Sequence, residues 1–159
     1  MLYTAIAAVA FAATVAAAPS AETKKRASGS DQNISIYRFG DPAGCHDVLR
    51  VSGACGISTY FKNVDQAASF VAIPSKLFDK FTPNDPKSPT IKAAPQTNTL
   101  CGKTITITHN GVTKTAIVAD RNFSNDNSID TCMDIWSAFG GKDGDGTVIH
   151  GATWSVDGV

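Results

Sequence analysis

Apolar residues open the chain as one unbroken block and afterwards recur only in short runs. Met1 to Ala18 is Ala-rich, carries no charged side chain and ends in Ala16-Ala17-Ala18. That length is short for a bilayer span, and with its small-residue end it reads as a secretory signal peptide of residues 1–18. Past residue 33, Ile34 to Phe39 is predicted as a first strand, closed off by Gly40-Asp41-Pro42. Cys45 to Ala67 is rich in small residues and reads as a long irregular loop. Phe70-Val71-Ala72-Ile73 is a short apolar run, hence a buried strand. Pro74 then stands where a helix begins, with Leu77, Phe78 and Phe81 at helical spacing. Four prolines between Thr82 and Thr99 predict a surface loop.

The strongest local signal is Thr104-Ile105-Thr106-Ile107-Thr108, then Asn110-Gly111, then Val112 to Val118. Alternating β-branched residues on either side of Asn-Gly predict a hairpin with a type I′ turn. Asp120 to Thr131 reads as a polar loop, and Ile135, Trp136 and Phe139 as a second short helix ended by Gly140-Gly141. Val148 to His150 and Thr153 to Val156 supply two last strands. Many short strands with one or two small helices predict a mainly β, barrel-like domain over residues 34–159.

Processing changes the charge. Lys24-Lys25-Arg26 is a dibasic signal of the kind that kexin-type proteases cut, which makes residues 19–26 a short propeptide, 27–33 a flexible start and Ala27 the first mature residue. The whole chain balances 14 basic against 14 acidic residues; without residues 1–26 a slight acidic excess remains. Such a surface has no electrostatic footprint for nucleic acid or an anionic membrane. Glu22, the only glutamate, is lost as well, leaving aspartate for any carboxylate chemistry. Four cysteines in a secreted chain imply two disulfides with three open pairings, and without a Cys-x-x-Cys spacing they do not suggest zinc. His46, His109 and His150 lie far apart, and Asp143-Gly144-Asp145-Gly146 reads as a tight turn, not a calcium loop, so neither metal nor cofactor is expected. Asn33-Ile34-Ser35 and Asn122-Phe123-Ser124 are glycosylation sequons at Asn33 and Asn122.

One ordered set of motifs carries a resemblance. Gly53-Ala54-Cys55-Gly56, Phe70 to Pro74, Cys101-Gly102-Lys103, Ala119-Asp120-Arg121, Met133-Asp134-Ile135 and Trp154 follow one another as in the six-stranded double-psi β-barrel of expansins, barwin and rare lipoprotein A. The chain is most similar to the single-barrel secreted fungal members, over residues 34 to 157. The resemblance implies disulfides Cys55–Cys101 and Cys45–Cys132, each worth about 4 kcal/mol in the loop-entropy picture. It places Asp120 and Asp134 in a polysaccharide-facing groove, with Asp134 matching the general acid of related endoglucanases. No partner base is recognisable: Asp41 and Asp47 lie nearby but outside any motif. Asn122 stands where the family usually has cysteine, and Ile135-Trp136 where Leu-Ser is common.

Each candidate has a structural counter-reading. Asp134 at a helix start reads equally as an N-cap, and Asp120-Arg121 as a local ion pair or turn. Tyr37, Tyr60, Trp136 and Trp154 are aromatics able to stack on sugars; Trp154 reads as core, while Tyr60 and Trp136 are the open candidates. The expectation is a monomeric, extracellular, cell-wall-associated protein that binds or loosens polysaccharide without hydrolysis, using Asp120, Arg121, Asp134, Tyr60 and Trp136. Inhibition of a cysteine protease or of another host protein through the 41–61 and 82–99 loops is the alternative, and weak glycan cleavage with Asp134 as acid the third.

Overall fold

The computed structural model describes residues 25–124 and 126–159, so the signal-peptide reading and Lys24 of the dibasic signal lie outside the described residues. In chain order the elements are β1 (Arg26–Arg38), α1 (Pro42–Ser52), α2 (Ile57–Tyr60), β2 (Phe70–Pro74), α3 (Ser75–Phe81), β3 (Asn84–Asp85), β4 (Ser88–Lys92), a 3-10 turn at Pro95–Thr97, β5 (Thr104–His109), β6 (Val112–Asn122), β7 (Ser128–Cys132), α4 (Met133–Ala138) and β8 (Ile149–Asp157). Six strands close a barrel in the order β1-β7-β2-β6-β5-β8, while β3 and β4 form a separate two-stranded ribbon. Two parallel pairs, β1–β7 and β2–β6, join strands far apart in sequence, and antiparallel pairs complete the ring. Among the described residues no helix is long and apolar enough to cross a membrane.

The expected hairpin is β5–β6. Asn110 (φ 47°) and Gly111 (φ 78°) both take the left-handed backbone that the I′ turn needs, and the register runs from His109↔Val112 to Thr104↔Ile117. Ile105 and Ile107 are buried in one apolar core with Phe70, Val71, Ile73, Val118 and Ile129. The disulfides are Cys45–Cys132 and Cys55–Cys101, and no cysteine is free.

Several expectations are corrected. Residues 27–33 are not a loose lead-in but part of β1, which starts at Arg26 and pairs there with β8. Its side chains are mostly small or polar and only Gln32 of that stretch is buried, because a ladder built from backbone groups needs no apolar face. Residues 45–67 hold two helices instead of one loop. Asp41 caps α1 by accepting from the N–H groups of Ala43 (3.1 Å) and Gly44 (2.9 Å), with Pro42 in the first turn. Only Cys45 and Leu49 of α1 are buried, too few to print a helical period. The described residues therefore hold four α-helices where one or two short helices are expected. The proline-rich loop contains the β3–β4 ribbon, and the two last strands are one, β8. Finally, the polar stretch 120–131 is mostly strand: β6 continues to Asn122 and β7 begins at Ser128.

Candidate functional site

That last correction builds the site. On four neighbouring strands the register places Ser35 (β1) opposite Asp130 (β7), Asp130 opposite Ala72 (β2), and Ala72 opposite Asp120 (β6). Paired residues share a face of the sheet, so two carboxylates flank the smallest side chain of the row. They sit two strand spacings apart, about 9–10 Å between Cα atoms. Each is anchored through one oxygen. Asp120 Oδ1 accepts from the backbone N–H groups of Ala54 (2.7 Å) and Arg121 (2.8 Å). Asp130 Oδ1 accepts from Ser35, from Asn122 Nδ2 (2.8 Å) and from Ser128 Oγ (3.2 Å). Neither Oδ2 atom has a hydrogen-bond partner among the described residues.

The electrostatics follow from this crowding. Burial raises the pKa of Asp120 against the two backbone N–H groups that lower it. Asp130 is pushed up to about 6, first by burial, against the hydroxyls of Ser35 and Ser128, with the charges of Asp126 and Asp120 adding to the rise. Tyr37 is raised by burial and then by Asp120 and Asp130, so its phenol belongs to the same surface. A polar stretch such as 120–131 hides Asp130 by reading as loop; the polar–apolar alternation Ser128-Ile129-Asp130 is the one local sign of the strand that carries it.

Asp134 lies elsewhere. It does not cap α4: the N-cap position is Cys132, and no side chain caps that end. Its carboxylate instead bridges to other elements, accepting from His46 Nε2 (3.0 Å) on α1 and from Ser69 Oγ (2.8 Å) just before β2. His46 Nδ1 accepts from the N–H of Phe70 (2.9 Å), which leaves the ring proton on Nε2, aimed at Asp134. Burial would raise the Asp134 pKa, but the hydrogen bonds from His46, Ser69 and the Ile135 backbone outweigh it and hold the carboxyl at about 2. These contacts favour the ionised carboxylate, whereas a general acid needs a proton to give at working pH. It shares no hydrogen-bond partner with Asp120, and sits in a shallow pocket with His46, Asp47, Arg50, Gln66 and Ser69.

The other expected residues divide. Trp136 is fully buried and cannot stack on a sugar; its ring packs edge-on against Phe39 with centroids 6.0 Å apart. The reason is geometric: α4 turns Trp136 toward the core beside Ile135, which burial alone decides. Trp154 is core as read, and Tyr60 is 61% exposed. Arg121 sends its guanidinium to Asp79 on α3 (2.7 Å) and over the Phe123 ring (4.7 Å), away from any pairing with the Asp120 carboxylate. Asn122 is buried, with Nδ2 donating to Ser128 O (3.0 Å) and Asp130, so a folded barrel has no room for a glycan there. Asn33 Nδ2 is likewise engaged, on Asp126 O (2.6 Å).

The two opposed carboxyls set a stability profile. Asp130 ionises at about 6 in the folded protein and near 4 in the unfolded chain. Between those values the folded state holds a proton that the unfolded chain has lost, so stability falls as pH rises from about 4 to 6, by on the order of 2 kcal/mol. Asp134 acts in the opposite sense: its stabilising contribution is present above about pH 4 and lost as pH falls toward about 2. Stability is expected to peak near pH 4 on these two groups, and Asp130→Asn to flatten the upper limb. Urea unfolding of both proteins at several pH values from 3 to 7 measures this, and an unchanged upper limb in Asp130→Asn would remove Asp130 as its source.

No family model matches the chain, and no curated protein matches it. Among solved structures, the Streptomyces papain inhibitor (SPI) is similar with a TM-score of 0.46 and 20% sequence identity, over 83% of this chain and 94% of that one.

Proposed function

We propose that this chain is a secreted protein that binds cell-wall polysaccharide along the row over Ala72, without cleaving it. The observation that supports this reading is the row itself: Ser35, Asp130, Ala72 and Asp120 in register, each carboxylate fixed through one oxygen, with Tyr37 alongside. Carboxylate oxygens held in place accept hydrogen bonds from sugar hydroxyls with little ordering cost, and a tyrosine ring offers an apolar face. Asp134, held ionised by His46 and Ser69, favours binding over acid-catalysed cleavage.

Asp120→Asn tests it. Asparagine Oδ1 still accepts from Ala54 and Arg121, so the fold is kept while a charged acceptor is lost. Hydrogen bonds to charged groups contribute about 1.5–3 kcal/mol, so affinity for insoluble cellulose, chitin or peptidoglycan is expected to fall about ten-fold or more with the melting temperature nearly constant. Equal binding by both proteins would take the row out of the mechanism. Release of reducing ends that disappears in Asp130→Asn would make the chain an enzyme instead.

A second reading, capture of a protein such as a cysteine protease, draws on large apolar side chains left exposed outside the barrel. Phe123 is 74% exposed, and Ile91, in the proline-rich segment, 59%. Retention of a papain-like protease that Phe123→Ala abolishes would favour this reading.

A further inference from the structure

The dibasic signal ends at Arg26, and Arg26 is where β1 begins. The peptide bond that a Lys-Arg-directed protease would cut, Arg26–Ala27, therefore lies inside the first rungs of the β1–β8 ladder. Lys25 O accepts from the N–H of Gly158 at 2.7 Å. Arg26 is registered with Asp157, Ala27 with Val156, Ser28 with Ser155 and Gly29 with Trp154. The Arg26 guanidinium bonds Asp157 Oδ1 (Nε, 3.2 Å) and Ser155 Oγ (2.5 Å). The Trp154 indole lies over Gly29, where a Cβ would stand 2.5 Å from Nε1, and Leu77 and Phe81 of α3 line the same hollow as Arg26 and Ala27.

We infer that the closed barrel shields the Arg26–Ala27 bond, so that processing at the dibasic signal precedes folding and a molecule that folds uncut keeps Arg26 as its first strand residue. Hydrolysis adds water across that bond, leaving a carboxylate on Arg26 and an α-ammonium on Ala27. The protease must take several residues on both sides of the bond into its cleft as a free extended chain. Here residues 26 to 29 are registered against β8, and freeing them means peeling the strand from Asp157 back to Trp154. When opening is fast relative to cleavage, the rate of cutting follows the population of that open form. The order of two events thus decides the mature N-terminus: cut first, Ala27 leads; fold first, Arg26 stays.

The experiment compares the disulfide-bonded protein, still carrying residues 19–26, with the same protein reduced and unfolded, both exposed to a kexin-type protease. Intact mass then reads cleavage at Arg26–Ala27. The folded protein is expected to be cut at least about a hundred-fold more slowly. Removing Asp157 to Val159 takes away the ion pair and the Gly158 hydrogen bond while leaving Val156 in place, and is expected to speed cutting of the folded protein several-fold. Cleavage of the folded chain at a rate close to that of the unfolded chain overturns the inference. So does a truncated protein, its disulfides intact, cut no faster than the full one.

Discussion

Replacing Cys45 and Cys132 together by alanine is expected to destabilise the folded protein by about 4 kcal/mol, enough to leave much of it unfolded at growth temperature. The bond spans 87 residues, the longer of the two covalent loops, and the loop-entropy account makes the longer loop the more stabilising one. Both sulfurs are fully buried, so the alanine pair also loses packing. There is a local consequence too. Cys45 precedes His46 on α1, and Cys132 stands two residues before Asp134, so the disulfide ties together the two elements that meet in the His46–Asp134 hydrogen bond. The Cys55–Cys101 loop, closing 46 residues, is nested within the first, so removing both bonds is expected to cost less than the sum. Urea denaturation of the wild type, each alanine pair and the quadruple mutant measures this; a Cys45/Cys132 pair losing under 1 kcal/mol would refute it.

Trp136→Ala is expected to cost about 3–5 kcal/mol, the range for emptying a large aromatic from a core. No part of Trp136 is exposed. One ring face lies against Gly141, where a Cβ would come within 2.3 Å of Cδ2, and Phe39 packs on it edge-on. No small rearrangement fills such a space. Its Nε1 is buried with no hydrogen-bond partner among the described residues, so packing is the contribution that the indole visibly makes. Trp136→Phe, which removes that orphaned donor and keeps an aromatic ring, is expected to cost clearly less. Sugar stacking would give the opposite pattern, an unchanged melting temperature with binding lost. Thermal melts beside polysaccharide binding below the transition tell the two apart.

Those two residues mark where sequence reading carries and where it stops. The disulfide partners are those the motif order implied, because a resemblance of ordered motifs transmits topology. Trp136 is different: a tryptophan on a short helix has the same local pattern whether it faces the core or solvent. The helix-cap reading of Asp134 fails for a related reason. It stands at a helix start, but its fate was settled by His46, 88 positions away, and by Ser69, 65 away. Asp41 caps a helix although Gly40-Asp41-Pro42 reads as a strand boundary, because Asp-Pro signals both.

What the sequence determined by itself is the part governed by neighbours along the chain. Asn110-Gly111 between two alternating β-branched runs has one good backbone solution, and the hairpin followed. Phe70 to Ile73, apolar on both faces, belongs inside whatever surrounds it. Four cysteines and the order of the motifs called for a small barrel with two disulfides. What only the tertiary structure decided is everything set by strands meeting from distant parts of the chain. Ser35, Ala72, Asp120 and Asp130 are scattered over 95 positions, and the two parallel pairings with the Ala72–Asp130 bridge bring them into one row. Burial beside Asp120 and Asp126 then raises Asp130 to about 6, while hydrogen bonds from His46 and Ser69 hold Asp134 near 2. Two aspartates with the same intrinsic chemistry end up differing because a carboxyl's proton affinity depends on the donors, charges and solvent around it, and those are supplied by the fold.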